Sequence, residues 1–439
     1  MPAFHPSTQP ERIEMTVLVF LGSLLGAMAI GMPIAFALLV CATALMLFLG
    51  NLDAQILAQK LIDGADSYPL MAIPFFLLAG ELMNAGGLSR RIVNAAMSLV
   101  GHLRGGLGYV VIATGVALAS LSGSAIADTA TLAVMLAPMM RKAGYRMDRS
   151  AGLMAATGII APIIPPSVGF ILLGVTANLS ITRLFIAGIF PGLMLGAALT
   201  LAWWWLCRGD QHQPLPKAPW PERWAAIKAA GWAMVLPVII VGGLKFGVFT
   251  PTEAGVVAAA YAFLVSILVY RELTLAWLYV SLLSAAKMTA VIMILVAASM
   301  VSAWLITVAN VPQQVVGLLS AIIEYPTLLM FVLLVVLLLV GTALDFTPSI
   351  LILVPVLMPV IKIAGIDPIY FGVIFIIAAA IGMITPPVGA VLNTVCGVTK
   401  IRMEDAVKGV MPFLIAEVAV LILLVLFPAL VTVPAAWLH

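Results

Sequence analysis

Two short polar stretches interrupt an otherwise apolar sequence, and both combine residue types that could bind a cation or a small anion. The first is Leu121–Asp128, with the sequence LSGSAIAD, and the second is Gly341–Pro348, with the sequence GTALDFTP. Each stretch contains hydroxyls, one carboxylate, and a glycine or proline that interrupts a helix. Carboxylate, hydroxyl and backbone carbonyl oxygens are the ligands that hard cations prefer. The chemistry indicated is therefore reversible binding of an ion or solute.

The composition is typical of a membrane protein with many helical spans. The 439 residues are 64% hydrophobic and 9% charged, with a mean hydropathy of +1.20, which excludes an ordinary soluble domain. The long continuous apolar runs favour helices of about 20 residues over membrane β-strands of about 10. The net charge of +3 is spread over short loops, so nothing indicates nucleic-acid binding. Scattered cysteines and histidines indicate neither disulfides nor a metal site.

Each polar stretch lies between two apolar arms of about 15 residues, which are too short to cross a bilayer singly. Basic residues flank the first pair of arms at both ends, as Arg104 before it and Arg141 and Lys142 after it. Since basic loops lie on the cytoplasmic side, this segment is predicted to enter the membrane and return as a re-entrant hairpin. Its polar tip is then surrounded by protein or a water-filled cavity. An ionisable residue at that depth is a functional candidate.

Two proline-rich breaks follow the hairpins. They are Pro165-Pro166-Ser167 and Thr385-Pro386-Pro387. Proline lacks an N–H donor and its ring clashes with the preceding turn, so no straight helix passes through either break. Both segments are predicted to be broken helices.

The two hairpin and break units form an internal repeat with a constant offset of 221 positions. Matched pairs include Pro138 with Pro359, Gly144 with Gly365, Pro165 with Pro386, and Gly188 with Gly409. In the first repeat, Lys and Arg residues are concentrated in the loop after the hairpin, at 141–149, whereas in the second repeat they are concentrated after the break, at 395–408. Because basic loops lie on the cytoplasmic side, equivalent loops of the two repeats lie on opposite sides of the membrane, so the repeats are predicted to be inverted. Inverted repeats with broken helices are typical of secondary transporters that bind their substrate at the repeat interface.

These patterns predict an all-α membrane fold in four parts. The first part, at 1–104, contains a polar tail at 1–14 and N-terminal scaffold helices. The second part, at 105–205, is the first transport repeat, with its hairpin at 105–141 and its broken helix at 151–175. The third part, at 206–325, contains an amphipathic surface connector (208–232) and further scaffold helices, one of which is predicted to begin near Ala285. The fourth part, at 326–439, is a second transport repeat with a final helix, with its hairpin at 326–362 and its broken helix at 368–395. The run from Met15 to Gly50 is either one kinked span or two close ones, with the break at Gly31-Met32-Pro33.

We predict that each tip and the break that follows it bind sodium together. The predicted ligands are Ser122, Gly123, Ser124, Asp128, Pro165 and Ser167 in the first repeat, and Gly341, Thr342, Asp345, Thr347, Thr385, Gly389 and Asn393 in the second. Facing hydroxyls and half-helix N-termini could also bind a substrate carboxylate, for which Ser124, Ser167, Thr347 and Pro387 are the candidates. Structural alternatives stay open, because Asp128 could simply cap a helix, the prolines could be kinks, and a hydroxyl could bond the preceding turn.

The sequence resembles the large membrane subunit of tripartite ATP-independent periplasmic (TRAP) transporters, the DctM-type permease. The similar stretches are Leu121–Tyr145, Ile160–Gly192, Thr250–Ala260 and Leu344–Thr399. The resemblance implies an elevator-type carrier in the bacterial inner membrane that uses sodium to import an organic acid, with C4-dicarboxylates as the default. It also implies two partners, a periplasmic DctP-type binding protein and a small four-helix DctQ-type membrane subunit. No cofactor is expected beyond the coupling sodium ions.

Three other functions are weighed against this one. A stand-alone ion-coupled carboxylate symporter would need neither partner. A passive channel would need polar residues along several helices, whereas here they are concentrated at two tips and two breaks. An intramembrane aspartyl protease also uses two aspartates, but the Gly-x-Gly-Asp setting is missing. A transporter rather than an enzyme is therefore expected.

Overall fold

The computed structural model describes residues 10–50, 53–209 and 216–437, and the regular elements of these ranges are helices. Most of the predicted polar tail, at 1–9, and part of the connector, at 210–215, lie outside the described residues. Eight helical segments in the described ranges are long and apolar enough to cross a membrane. This confirms the prediction of an all-α membrane fold.

The helices of the first half are α1 Pro10–Ala29, α2 Ile34–Phe48, α3 Ala54–Ala65, α4 Ala72–Ala85, α5 Leu88–Val100, α6 Gly106–Ser122, α7 Ala125–Lys142, α8 Met147–Gly158, α9 Val168–Ala177 and α10 Ile181–Leu206. Those of the second half are α11 Trp220–Lys245, α12 Pro251–Leu264, α13 Leu275–Val308, α14 Val311–Ile323, α15 Pro326–Ala343, α16 Phe346–Ile363, α17 Pro368–Gly382, α18 Ala390–Thr399, α19 Met403–Leu426 and α20 Ala429–Trp437.

The open question at the N-terminal run is resolved in favour of two helices. α1 ends at Ala29, Gly31 takes a left-handed conformation with φ +82°, and α2 begins after Pro33. The two helices pack against each other, and the Cys41 thiol donates to the carbonyl of Phe20 at 3.2 Å. The chain therefore turns back at Gly31 to form a helical hairpin.

The predicted hairpins and breaks appear at the expected positions. α6 and α7 form the first hairpin and α15 and α16 the second, while α8 with α9 and α17 with α18 are the broken helices. The arms have 17 or 18 residues, which is longer than predicted, and α15 and α16 are long and apolar enough to count among the eight possible spans. The helix limits of the two repeats match closely at the offset of 221, and the Pro165-Pro166 and Pro386-Pro387 bonds are both cis.

Two predicted boundaries in the middle of the chain are wrong. The composition predicts a connector that continues to Trp232, but α11 begins at Trp220 and runs unbroken to Lys245. α13 begins at Leu275 rather than near Ala285. In both cases the polar or interfacial residues belong to the first turns of a long helix, and hydropathy alone cannot separate such turns from a surface segment. The division into scaffold and transport parts stays a prediction.

The core lies around the broken helices. Residues 369–382 of α17 are all buried, and so are most residues of α8 and α9. Because other helices enclose their side chains, these segments occupy the centre of the bundle. α19 packs on α8 through two glycines, Gly152 and Gly409, which bring the two backbones into direct contact. The first break thus lies in the buried core.

Candidate ion and substrate site

The first hairpin tip rests directly on the first break. α6 ends at Ser122, Gly123 takes a left-handed conformation with φ +64°, and Ser124 caps α7 by accepting a hydrogen bond from the backbone N–H of Ala127 at 3.4 Å. A Cβ atom at Gly123 would lie 2.5 Å from the carbonyl oxygen of Pro166. Only glycine therefore allows this approach, and the first tip is in direct contact with the first break. Joint sodium binding by the two stays a prediction.

Ser167 holds the first break in shape. Its hydroxyl donates to the carbonyl of Pro162 at 2.5 Å and accepts from the backbone N–H of Phe170 at 3.1 Å. It thereby caps α9 and satisfies an otherwise unpaired carbonyl. Ser167 is fully buried and its donor is already used, so a substrate contact there would use its remaining lone pair.

Asp128 is a buried carboxyl group in the first turn of α7. It is 2% exposed, it accepts a hydrogen bond from the Ser122 hydroxyl, and its second oxygen, Oδ2, has no hydrogen-bond partner among the described residues. Since Ser124 is the cap of α7, the alternative in which Asp128 merely caps this helix is wrong. A buried carboxylate oxygen without a partner is costly, and a bound cation would remove that cost.

Three threonines of the first repeat also have buried hydroxyls without a hydrogen-bond partner in the described ranges. They are Thr114 of α6, Thr129 of α7, the neighbour of Asp128 in sequence, and Thr157 of α8. The Thr129 hydroxyl lies against Gly158, and the Thr157 methyl group lies against Gly115, so both residues lie where the first hairpin meets α8. Sequence reasoning missed them, because a threonine in an apolar run usually bonds the preceding turn.

The second tip is built differently. Asp345 caps α16 by accepting from the backbone N–H of Phe346 at 2.7 Å, and Thr347 is buried in the first turn that follows. The Thr342 hydroxyl donates to the carbonyl of Leu339 at 2.8 Å, so its donor is used within α15. Gly341 faces α17, because a Cβ atom there would lie 3.0 Å from Cα of Gly382. In this structure Gly341 is a packing residue between two helices.

The second break is more open than the first. The Thr385 hydroxyl donates to the carbonyl of Ile381 at 2.8 Å, and Gly389 has φ +50° just before α18. Asn393 donates to the carbonyl of Val388 at 3.0 Å. Pro387 and Asn393 are exposed, so these two predicted residues face an accessible surface.

The structure brings the two tips and the first break together. Gly169 lies in the first turn of α9 beside the ring of Phe346, the first residue of α16, and a Cβ atom at Gly169 would lie 3.5 Å from that ring. α9 therefore contacts the second tip, and Pro166 and Ser167, just before α9, contact Gly123 of the first tip. α18, which follows the second break, packs against α7 and α8.

Four half-helices, α7, α9, α16 and α18, begin at these tips and breaks. Contacts bring three of these N-termini together, those of α7, α9 and α16. A helix N-terminus carries partial positive charge and N–H donors, so this grouping is suited to an anion such as a carboxylate. The buried, unpartnered Oδ2 of Asp128 is suited to a cation. The arrangement can therefore bind both kinds of ion close together.

Comparison with known proteins identifies the family. Residues 21–430 match the family model described as the tripartite ATP-independent periplasmic transporter, DctM component. The chain is 55% identical to the 2,3-diketo-L-gulonate TRAP transporter large permease protein YiaN of Escherichia coli, over 97% of this chain and 100% of that protein. It is 32% identical to the C4-dicarboxylate TRAP transporter large permease protein DctM of Rhodobacter capsulatus, over 95% and 98% of the two chains.

A solved structure supports the fold. The crystal structure of the YdaH transporter of Alcanivorax borkumensis, described as having an unusual topology, matches 95% of this chain and 98% of its own with a TM-score of 0.64 at 14% identity. At that identity the likeness concerns the fold alone. The match to the family model and the identity to YiaN over the whole chain confirm the resemblance seen in the sequence. The chain therefore belongs to the DctM component family of TRAP transporters, as a large permease subunit that crosses the inner membrane several times.

Proposed function

We propose that this permease couples sodium entry to the import of an organic acid. The observation that carries the proposal is the grouping of three half-helix N-termini, those of α7, α9 and α16, with the unpartnered Oδ2 of Asp128 in the first turn of α7. The N-termini would hold the carboxylate of the substrate, and the oxygens around Asp128 would hold a coupling ion. A binding protein delivers the acid on the periplasmic side, and a small membrane subunit completes the transporter.

The proposed substrate is 2,3-diketo-L-gulonate or a similar sugar acid. What supports this choice over a C4-dicarboxylate is the higher identity to YiaN, 55% against 32% to the Rhodobacter DctM protein. Reconstitution with the two partner proteins, followed by competition between diketogulonate and succinate for sodium-driven uptake, tests the choice. Uptake that succinate blocks and diketogulonate does not would reject it. Full uptake without either partner would instead favour a stand-alone symporter.

Sodium binding at the first tip is tested by thermal unfolding in sodium against equal-strength choline. A ligand at about 100 times its dissociation constant stabilises the folded state by about 2.7 kcal/mol. We expect a sodium-specific rise of the unfolding midpoint for the native chain and a reduced rise for Asp128→Asn. Asp345→Asn separates a role in ion binding from capping, because Asn caps a helix about as well as Asp.

Asp367→Asn is the matched control. Asp367 caps α17 by accepting from the backbone N–H of Tyr370 at 2.8 Å, and it lies at the opposite end of α17 from the second break. This variant should keep the full sodium response. If Asp128→Asn keeps it as well, Asp128 does not bind sodium.

A further inference from the structure

One face of α7 and one face of α18 each form a stripe of exposed or part-exposed residues. The α7 stripe leads from the first tip, and the α18 stripe leads from the second break, to helix ends that carry Arg and Lys residues. On α7 the stripe comprises Ala127, Thr131, Val134, Pro138 and Arg141, and on α18 it comprises Asn393, Gly397 and Lys400; each of these side chains is exposed or part-exposed. Spacings of three and four residues place each set on a single helix face. α7 begins at the first tip and α18 begins at the second break, so each stripe starts at a predicted binding element.

The two helices end side by side. The Arg141 guanidinium donates to the carbonyl of Thr399 at 2.7 Å, which joins the last turn of α7 to the last turn of α18. A cavity of about 630 Å³ opens between these ends. Sites for small ligands commonly measure about 300–1,000 Å³. The space is therefore large enough for a sugar acid.

This cavity combines apolar walls with three cations. Its apolar lining consists of Ala133, Val134, Ala137, Pro138 and Val398, and Arg141, Lys142 and Lys400 line it as well. Among the described residues, no acidic side chain lines it. A low-dielectric wall beside charges of one sign strengthens the attraction for an anion. The cavity is thus electrostatically suited to a carboxylate.

A second cavity, of about 710 Å³, adjoins the first at Val134 and separates α7 from α4, α5 and α13. Polar side chains line it, among them Asn84, Thr131 and Arg90, and Arg90 pairs with Glu272 at 2.6 Å. Together the two cavities form an open cleft along the accessible face of α7. Since the basic loops lie on the cytoplasmic side, the cleft opens towards the cytoplasm.

We propose that Arg141, Lys142 and Lys400 form a second carboxylate-binding station, which the transported acid occupies on its way between the tips and the cytoplasm. The inference rests on the proposed function and adds a release site to it. An anionic lipid headgroup has similar chemistry. The α7 stripe starts at the first tip, and the α18 stripe starts at the second break, where Pro387 and Asn393 are exposed. This continuity with the predicted binding elements favours the transported acid as the occupant.

The test neutralises two cations without disturbing the packing. Arg141 is left intact because it joins α7 to α18, and the double variant is Lys142→Gln with Lys400→Asn. Lys400 has φ +60°, and Asn tolerates this left-handed backbone as Asn178 does at the end of α9. The matched control is Lys362→Gln, because Lys362 is the repeat counterpart of Arg141 and stands at the exposed end of the other hairpin.

The complete transporter is reconstituted in vesicles of zwitterionic lipid. Sodium-driven efflux of diketogulonate, loaded at graded concentrations on the cytoplasmic side, gives the KM for that face. At about 0.01 M ionic strength we expect the double variant to raise this KM about tenfold with kcat unchanged. At about 1 M the Debye length falls to about 3 Å, so the difference should nearly vanish. Lys362→Gln and the KM for uptake from the periplasmic face should match the native protein.

Three results would contradict the proposal of a second carboxylate-binding station. They are an unchanged KM in the double variant, an equal rise in the Lys362→Gln control, and an effect that appears only when anionic lipid is added, which would assign the cations to a headgroup. Failure of the native transporter to move any organic acid would instead reject the proposed function. The two failures are therefore distinguishable.

Discussion

Replacing Gly123 by alanine tests whether the first tip depends on direct backbone contact with the break. Two costs add in this variant. A non-glycine residue in the left-handed region costs about 1–2 kcal/mol, and the residue has φ +64°. The new Cβ atom would lie 2.5 Å from the carbonyl oxygen of Pro166 and 3.2 Å from Cα of Ser167. Since both are backbone atoms in the buried core, the overlap adds about 1–3 kcal/mol.

The expected loss is therefore about 2–5 kcal/mol. In domains of about 150–250 residues, 1 kcal/mol shifts Tm by about 2–4 °C, and the shift is about half as large in a chain about twice that size. Thermal unfolding of purified Gly123→Ala should thus show a Tm about 2–10 °C below that of the native chain. Because the tip would move away from the break, the sodium-dependent rise should also shrink.

Gly144→Ala is the matched control. Gly144 has φ +78°, but a Cβ atom added there would meet no other atom within 4 Å. This variant carries the backbone strain without the overlap, so its Tm should fall by only about 1–4 °C on the same scale, with the sodium response intact. Equal losses in the two variants would refute the reasoning, because the contact with Pro166 would then contribute nothing.

Two further predictions concern packing around the site. Gly409→Ala would place its Cβ atom onto the carbonyl oxygen of Asp148 and force α19 away from α8, so it should reduce both the folded yield and Tm, whereas Gly397→Ala, with open space at its Cβ position, should do neither. Trp203→Phe removes the 2.8 Å hydrogen bond from Nε1 to the carbonyl of Gly105, which then keeps only its 3.0 Å bond from the backbone N–H of Gly108. The variant should cost about 0.5–1.5 kcal/mol, and an unchanged Tm would show that water replaces the lost donor.

The positions of the hairpins and breaks could be predicted because rare residues mark them. Gly123 and the Pro165-Pro166 pair leave the backbone few alternatives to a turn, and the second repeat confirms the positions at a constant offset. The start of α11 could not be predicted in this way. The segment from Trp220 to Trp232 has the polar and aromatic composition of a surface connector, yet it continues directly into a span. Which of the two it forms depends on its neighbours in the fold.

The unpaired threonine hydroxyls of the first repeat were beyond sequence reasoning for a different reason. Thr114, Thr129 and Thr157 lie on three different helices, and no spacing within the chain relates them. Only the packing of the hairpin against α8 buries Thr129 and Thr157 at a common interface. Their sequence signal is limited to polar residues in apolar runs, and that signal is equally typical of threonines that bond their own helix.

The two repeats place different chemistry at equivalent positions. Ser124 and Asp345 stand 221 positions apart, and each caps the second arm of its hairpin. A carboxylate used as a cap already accepts a backbone N–H and is stabilised by the helix dipole. Asp128 lies in the first turn of α7 and shares the dipole interaction, but it is not the cap, and its Oδ2 has no hydrogen-bond partner in the described ranges.

In the proposed mechanism the two tips would therefore bind ions unequally. The first would use a side-chain carboxylate whose charge needs a cation, so its affinity for sodium should depend strongly on Asp128. The second would use mainly backbone carbonyls around a carboxylate that its own helix already stabilises. Losing the charge at Asp345 should consequently weaken sodium binding less than losing it at Asp128. An equal loss of sodium binding in Asp128→Asn and Asp345→Asn would mean that the capping role of Asp345 does not reduce its contribution to sodium binding.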